Sequence, residues 1–335
     1  MSNLVGRTAL GSVLALMLCS TAGAEEWKFA IEEIPGSIMD NYAQEFKRRI
    51  EAATDGDVTV TIYPLGSLGT PTEVAEQTAD GIVHLSNLSV GNLGTVVPTS
   101  QILLTPYLFP SDPEETAKIL AESPTIYNEL GEDFEVAGLQ LLTLYSGGAQ
   151  VWTTKKEIRS PEDLANVKMR VMVSPILVEA YEDLGASPTP VPFGEVYGAL
   201  QLGQVDGQIN PIYSIEEMKF YEVTDYLIWA GEQELITAVM AGDDWYQGLP
   251  PERKQLLDDT IAELNGYIPA VVAEFNTERL ETIREAKPGI EMIELTEEER
   301  AAFRERAQAT HEAVADIVGA RAGELFQALK EEIGQ

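Results

Sequence analysis

The sequence predicts a two-lobed α/β fold, and three observations carry that expectation. Strand-like and helix-like segments alternate along most of the chain, the order that builds layered α/β architectures. The 335 residues, 44% of them hydrophobic, are ample for a core yet long for a single one. The stretch from Lys168 to Pro211 reads as strand, helix, strand, helix, strand, with Arg170, Phe193 and Asn210 at element ends and Tyr213 just beyond. Those ends are where open α/β sheets hold ligands.

Taken in order, residues 1–24 carry the marks of a cleavable export signal: Arg7, the short apolar core around Leu14 to Leu18, and Ala22-Gly23-Ala24 before Glu25. Cleavage there removes Cys19, the one cysteine, and leaves no thiol for a disulfide or a nucleophile. Bulky Leu18 before Cys19 argues against a lipidated cysteine. Trp27 to Ile31 reads as the first strand, and Glu32 to Gly36 as a loop. A helix from Ser37 to about Ala53 follows, with Met39, Tyr42, Ala43, Phe46 and Ile50 on one face. Val58 to Tyr63 alternates as a strand should, Thr72 to Ala79 is a short helix, and Ile82 to Leu85 the next strand. Prolines between Pro98 and Pro110 exclude a central strand there. Two helices, Pro113 to Leu120 and Ile126 to Phe134, precede a strand from Gly138 to Tyr145, and Ser146-Gly147-Gly148 marks a first crossover between lobes. Glu157 to Leu164 reads as a helix start. After the central stretch come strands at Tyr226 to Trp229 and Leu235 to Met240, a long helix from Pro251, a short strand to Ile293, and a last long helix from Thr296 to about Leu329. The lobes are expected to comprise 25–147 with 236–275, and 148–235 with 276–335, joined by ordered crossovers around a ligand cleft.

With 22 Lys+Arg against 55 Asp+Glu, the formal charge is −33. Such a field repels nucleic acid and anionic membranes. The two histidines, His84 and His311, lie outside any zinc-ligand spacing. No nucleophile elbow or phosphate loop occurs, so no cofactor is expected, and Glu33 with Glu195 is a weak acid/base pair in so acidic a chain. Glu232 and Glu234 leave a hard-cation site open beside the plainer reading of a solvated loop. Anion recognition remains. A guanidinium at Arg170 offers two parallel donors to a carboxylate, Phe193 a cover, and Asn210 and Tyr213 hydrogen bonds. An internal ion pair for Arg170, with Phe193 in the core, is the competing assignment.

Ser160 to Leu164, Lys168-Met169-Arg170, Leu184 to Pro190, Glu195-Val196-Tyr197 and Val205 to Gln208 followed by Asn210-Pro211 resemble the extracytoplasmic solute-binding proteins of tripartite ATP-independent periplasmic (TRAP) transporters. The resemblance spans essentially the whole chain after residue 24. It implies a periplasmic, monomeric, non-enzymatic protein of the DctP family that closes on a small carboxylate and hands it to a sodium-driven permease. It implies further that Arg170 clamps the carboxylate, Asn210 bonds it and Phe193 covers it. Gln150 stands where many dicarboxylate and sialic-acid binders have a second arginine. The segment Glu32 to Gly36 echoes ectoine-binding members, in which the acid matching Glu33 meets the ring nitrogens of the guest. The aromatic cage of those members appears here as Asn92, Phe193, Ser214 and Leu235, with one aromatic kept, so hydroxy or sugar acids stand beside ectoine-like solutes as candidates. A receptor serving a sensor or an ABC system, or an exported enzyme using Glu195, are the alternatives.

Overall fold

The computed structural model describes residues 24–335, and the expected export signal, residues 1–24, lies outside them but for Ala24. Two mixed sheets organise the chain. The first is five-stranded, ordered β2 (Val58–Tyr63), β1 (Glu25–Ile31), β3 (Leu85–Ser89), β10 (Glu234–Gly242), β4 (Leu139–Ala149). The second is six-stranded, ordered β11 (Glu291–Glu294), β9 (Tyr226–Trp229), β5 (Val151–Thr154), β8 (Gly207–Asn210), β6 (Lys168–Val171), β7 (Ser187–Pro190). In the first sheet β10 runs antiparallel to both its neighbours, and in the second β5 does. These two strands are also where the chain enters from the opposite sheet. β4 passes to β5 through the single residue Gln150, and β9 passes back to β10 through Ala230–Gln233. The helix Pro251–Ala286 makes the third passage, on the way from β10 to β11. Its 36 residues span roughly 54 Å at 1.5 Å per residue, with Pro269 inside and one backbone bond missing there.

Local causes are visible at each end of the chain. The helix Ile38–Ala53 starts where Ser37 Oγ accepts from Asp40 N at 3.1 Å, and it buries Ile38, Met39, Tyr42, Ala43, Phe46 and Ile50 against β1, where Phe29 meets the Phe46 ring edge-on at 5.2 Å. Thr296 and Glu299 close a capping box that begins the helix Glu297–Ile317. One continuous core runs beneath both sheets, and a smaller one gathers around Phe220 and Leu227 under the second.

The structure departs from the expected elements in four places. The strand expected at Ile82 lies at Leu85–Ser89, because its polar residues Ser86, Asn87 and Ser89 are buried between β1 and β10 while Ile82 is exposed. β4 continues through Ser146-Gly147-Gly148 to Ala149, so the chain leaves the first sheet later than expected; a register irregularity against β10 and a φ of +108° at Gly148 absorb the glycines. The expected helix from Glu157 shrinks to one 3-10 turn, Pro161–Leu164. The last helix breaks at Gly319, whose φ of +124° suits glycine, and resumes as Ala320–Glu332.

Candidate functional site

The side chains that converge do so at the carboxyl ends of strands from both sheets. Glu32 and Glu33 follow β1, Asn92 lies just beyond β3, Arg170 stands near the end of β6, Phe193 follows β7, and Asn210 ends β8. Together with Ser89, Met172 and Leu235 they enclose a small cavity of about 10 Å³.

Arg170 is 2% exposed. Its one side-chain hydrogen bond among the described residues runs from Nε to the Val191 carbonyl at 2.9 Å. Burial pushes the guanidinium down to about 10, which still leaves it cationic at neutral pH, and the field of Glu32 opposes the shift. The ion pair with an internal acid is therefore not formed: Glu32 faces Arg170 electrostatically and gives its own oxygens to Ser89 Oγ and, at 2.9 Å, to Asn92 Nδ2. The two Nη groups make no hydrogen bond among the described residues.

Glu33 is buried too. Tyr213 OH donates to its Oε1 at 2.6 Å and Met39 N to its Oε2 at 3.1 Å. Burial nonetheless pushes this carboxyl up to about 7, with neighbouring Glu32 adding to the rise. Glu32 is raised as well, chiefly by burial and against the pull of Ser89, Asn92 and Arg170. The site thus sets one fixed cation against two desolvated carboxyls.

Of the residues expected at the site, Arg170, Asn210, Phe193, Glu33, Asn92 and Leu235 line the cavity. Tyr213 and Ser214 stand behind it, the first holding Glu33 and the second donating to Asn210 Oδ1 at 3.3 Å. Asn210 Nδ2 donates in turn to Gln208. Gln150 is placed elsewhere: it forms the link between β4 and β5, its N–H is held by the Gln233 carbonyl at 2.9 Å, and its side chain lines a separate cavity. Glu195 is exposed, on a 3-10 turn away from Glu33, and among the described residues no group of three His, Cys, Asp or Glu side chains could hold a metal ion. Sequence reasoning missed Glu32, Ser89 and Met172. A paired acid directly after an apolar strand was the available signal for Glu32; nothing in the spacing marked Met172.

Two features join the halves of the site across the cleft. Met172 packs so closely on Gly91 that a Cβ there would overlap its sulfur and methyl group. Beyond it, Ser174 Oγ donates to Gln101 Oε1 at 2.7 Å, both groups buried.

A two-lobed α/β molecule whose strand ends close on a buried arginine and two buried carboxyls is built as a receptor for a small solute. Residues 29–316 match the model of the bacterial extracellular solute-binding proteins, family 7 (DctP), and the chain belongs to that family. It is 38% identical to the ectoine/5-hydroxyectoine-binding periplasmic protein UehA of Ruegeria pomeroyi, over 96% of this chain and 94% of that one. To the ectoine-binding periplasmic protein TeaA of Halomonas elongata it is 36% identical, over 97% and 95%. A solved structure of the ectoine-binding protein of the TeaABC TRAP transporter superposes with a TM-score of 0.88 at 37% identity, covering 92% of this chain and 99% of that one.

Proposed function

We propose that the protein captures a small zwitterion, a carboxylate that also carries a cationic or donor-rich group, in the periplasm and delivers it as a monomer to a sodium-driven TRAP permease. The observation that carries this reading is the charge set of the site: one guanidinium without an ion-pair partner against two buried carboxyls. A guest carboxylate answers Arg170 in a bidentate fork, and a cationic group answers Glu32 and Glu33. A dianion would bring a second negative charge beside acids that are already costly to ionise. Gln150 offers it no second cation and lies outside the cavity. Ectoine and 5-hydroxyectoine, which the relatives' names give as their guests, are zwitterions of this kind. Phe193 is the one aromatic on the cavity wall, so stacking contributes less than four aromatics would. Asn92 and Ser214 already donate to Glu32 and Asn210, which leaves little there to favour a polyhydroxylated acid.

A space of about 10 Å³ holds about one water, so a solute enters only when the halves part. The chain passages at Gln150 and at Ala230–Gln233 are the natural bending points, so the expected lobe bounds shift slightly, to 25–149 with 234–275 and 151–229 with 276–335. Closure then removes water from the Arg170 contact and strengthens it. Calorimetric titration with ectoine, 5-hydroxyectoine, succinate and D-glucuronate tests the reading. The zwitterions are expected to bind and the pure acids to bind at least about tenfold more weakly; a dicarboxylate that binds more tightly than either ectoine overturns it. Uptake of the bound solute by permease vesicles only under a sodium gradient tests the delivery step.

A further inference from the structure

A second cavity lies apart from the one around Arg170. It measures about 580 Å³, within the range of small-molecule sites, roughly 300–1,000 Å³, and it shares no lining residue with the Arg170 cavity. It lies against both short chain passages, touching Ala149–Gln150 and Trp229 with Gly231–Glu234, and is closed by the Tyr107 loop and the helix Glu297–Ile317. Consecutive residues of β10 divide between the two spaces: Glu234 lines the large one and Leu235 the small one.

Just behind its wall, on residues that line it, lie buried acceptors that nothing in the described chain satisfies. Glu232 is 1% exposed; its Oε1 accepts from Trp152 Nε1 at 2.5 Å and Tyr181 OH at 2.9 Å, while Oε2 has no partner. Gln150, 3% exposed, has an unpartnered Oε1. His311 Nε2 lies 2.7 Å from the Pro106 carbonyl, which can only accept, so the ring proton sits on Nε2 and Nδ1 is a bare acceptor, also without a partner. Each such group costs about 1–3 kcal/mol when left unpaired. Three basic side chains line the same cavity, beside the carboxyls of Glu232, Glu234 and Glu294. Arg300 pairs with exposed Glu294 at 3.3 Å yet has an unpartnered Nε, Arg304 pairs with exposed Glu297 at 2.9 Å, and Lys330 makes no ion pair among the described residues.

We propose that this cavity is a second binding site, for a polyhydroxylated organic anion of sugar-acid size, with its carboxylate toward Arg300, Arg304 and Lys330 and its hydroxyls donating to Glu232, Gln150 and His311 once these buried side chains turn toward it. A ligand wedged against both passages holds them at one spacing. By linkage, it changes the affinity of the cleft by the same factor as cleft occupancy changes its own.

D-Gluconate is the probe, titrated by calorimetry into the intact protein, into Arg170→Ala and Asn210→Ala as two independent cleft variants, and into the double variant Arg300→Gln with Lys330→Gln, whose partly exposed positions leave the core untouched. The expected result is binding that survives both cleft variants and weakens about tenfold or more in the double variant. Gluconate binding that is lost in the cleft variants and kept in the double variant places the anion in the cleft and overturns the proposal. So does the absence of any gluconate binding to the intact protein at millimolar concentration.

Discussion

Arg170 is the residue on which the recognition of a carboxylate turns, and its setting separates binding from folding. It has one hydrogen bond to the chain and no ion pair among the described residues, so Arg170→Ala removes little that the unliganded fold relies on. Calorimetry should show the affinity for a zwitterionic guest reduced by about 2–5 kcal/mol, with the circular dichroism spectrum retained. Glu33 supplies a second expectation, and its sign follows from burial. Its carboxyl is raised from about 4.5 in the unfolded chain to about 7 in the fold, so the neutral form is the one the fold prefers. The stability this contributes is present below about pH 4.5 and is lost as pH rises through about 7, on the order of 3 kcal/mol. Glu232, also raised to about 7 by burial, acts in the same window. The melting temperature of the unliganded protein should therefore fall between about pH 5 and pH 8, and Glu33→Gln should flatten that slope. Affinity for the guest runs the other way. A cation beside Glu33 favours the carboxylate, so binding releases a proton and weakens as pH drops below about 7, which titration in buffers of different ionisation enthalpy measures.

Among the elements, the contact of Met172, just after β6, with the 3-10 turn Val90–Asn92 decides how closely the halves of the site meet. Gly91→Ala places a methyl group where Met172 lies, so the closed arrangement is strained while each half keeps its own packing. The variant should fold with an unchanged melting temperature without solute and bind several-fold more weakly, and adding Met172→Ala should recover part of the loss. Recovery in the double variant distinguishes blocked closure from a damaged turn. The elements also mark how far the sequence could be read. β1, the helix after it, β6, β8 and the helix from Pro251 were legible because apolar patterning agrees there with local start signals, Ser37 capping the first helix and Pro251 opening the long one. β3 was misplaced because Ser86, Asn87 and Ser89 are polar yet buried, and only pairing with β1 and β10 explains them. The Arg170 half of the site was readable from a charged residue inside a strand. Glu32 and Gln150 were misjudged because which face a side chain takes at a strand end depends on the neighbouring sheet, which local spacing does not record.

At the scale of the molecule, the two sheets are tied by short ordered passages and a long helix, a design that allows bending without a loose linker. Small-angle scattering should show the radius of gyration decrease when a saturating zwitterion is added. The net charge of −33 repels itself throughout, so added sodium chloride should raise the melting temperature of the unliganded protein from low ionic strength and level off once the charges are screened. The most direct test of the whole account is a crystal structure of the protein with ectoine in the cleft. The account predicts the guest carboxylate in a two-pronged hydrogen bond with the Arg170 guanidinium and its ring nitrogens toward Glu33 or Glu32. A guest whose carboxylate is bound elsewhere, with Arg170 turned onto one of the protein's own acids, would contradict it.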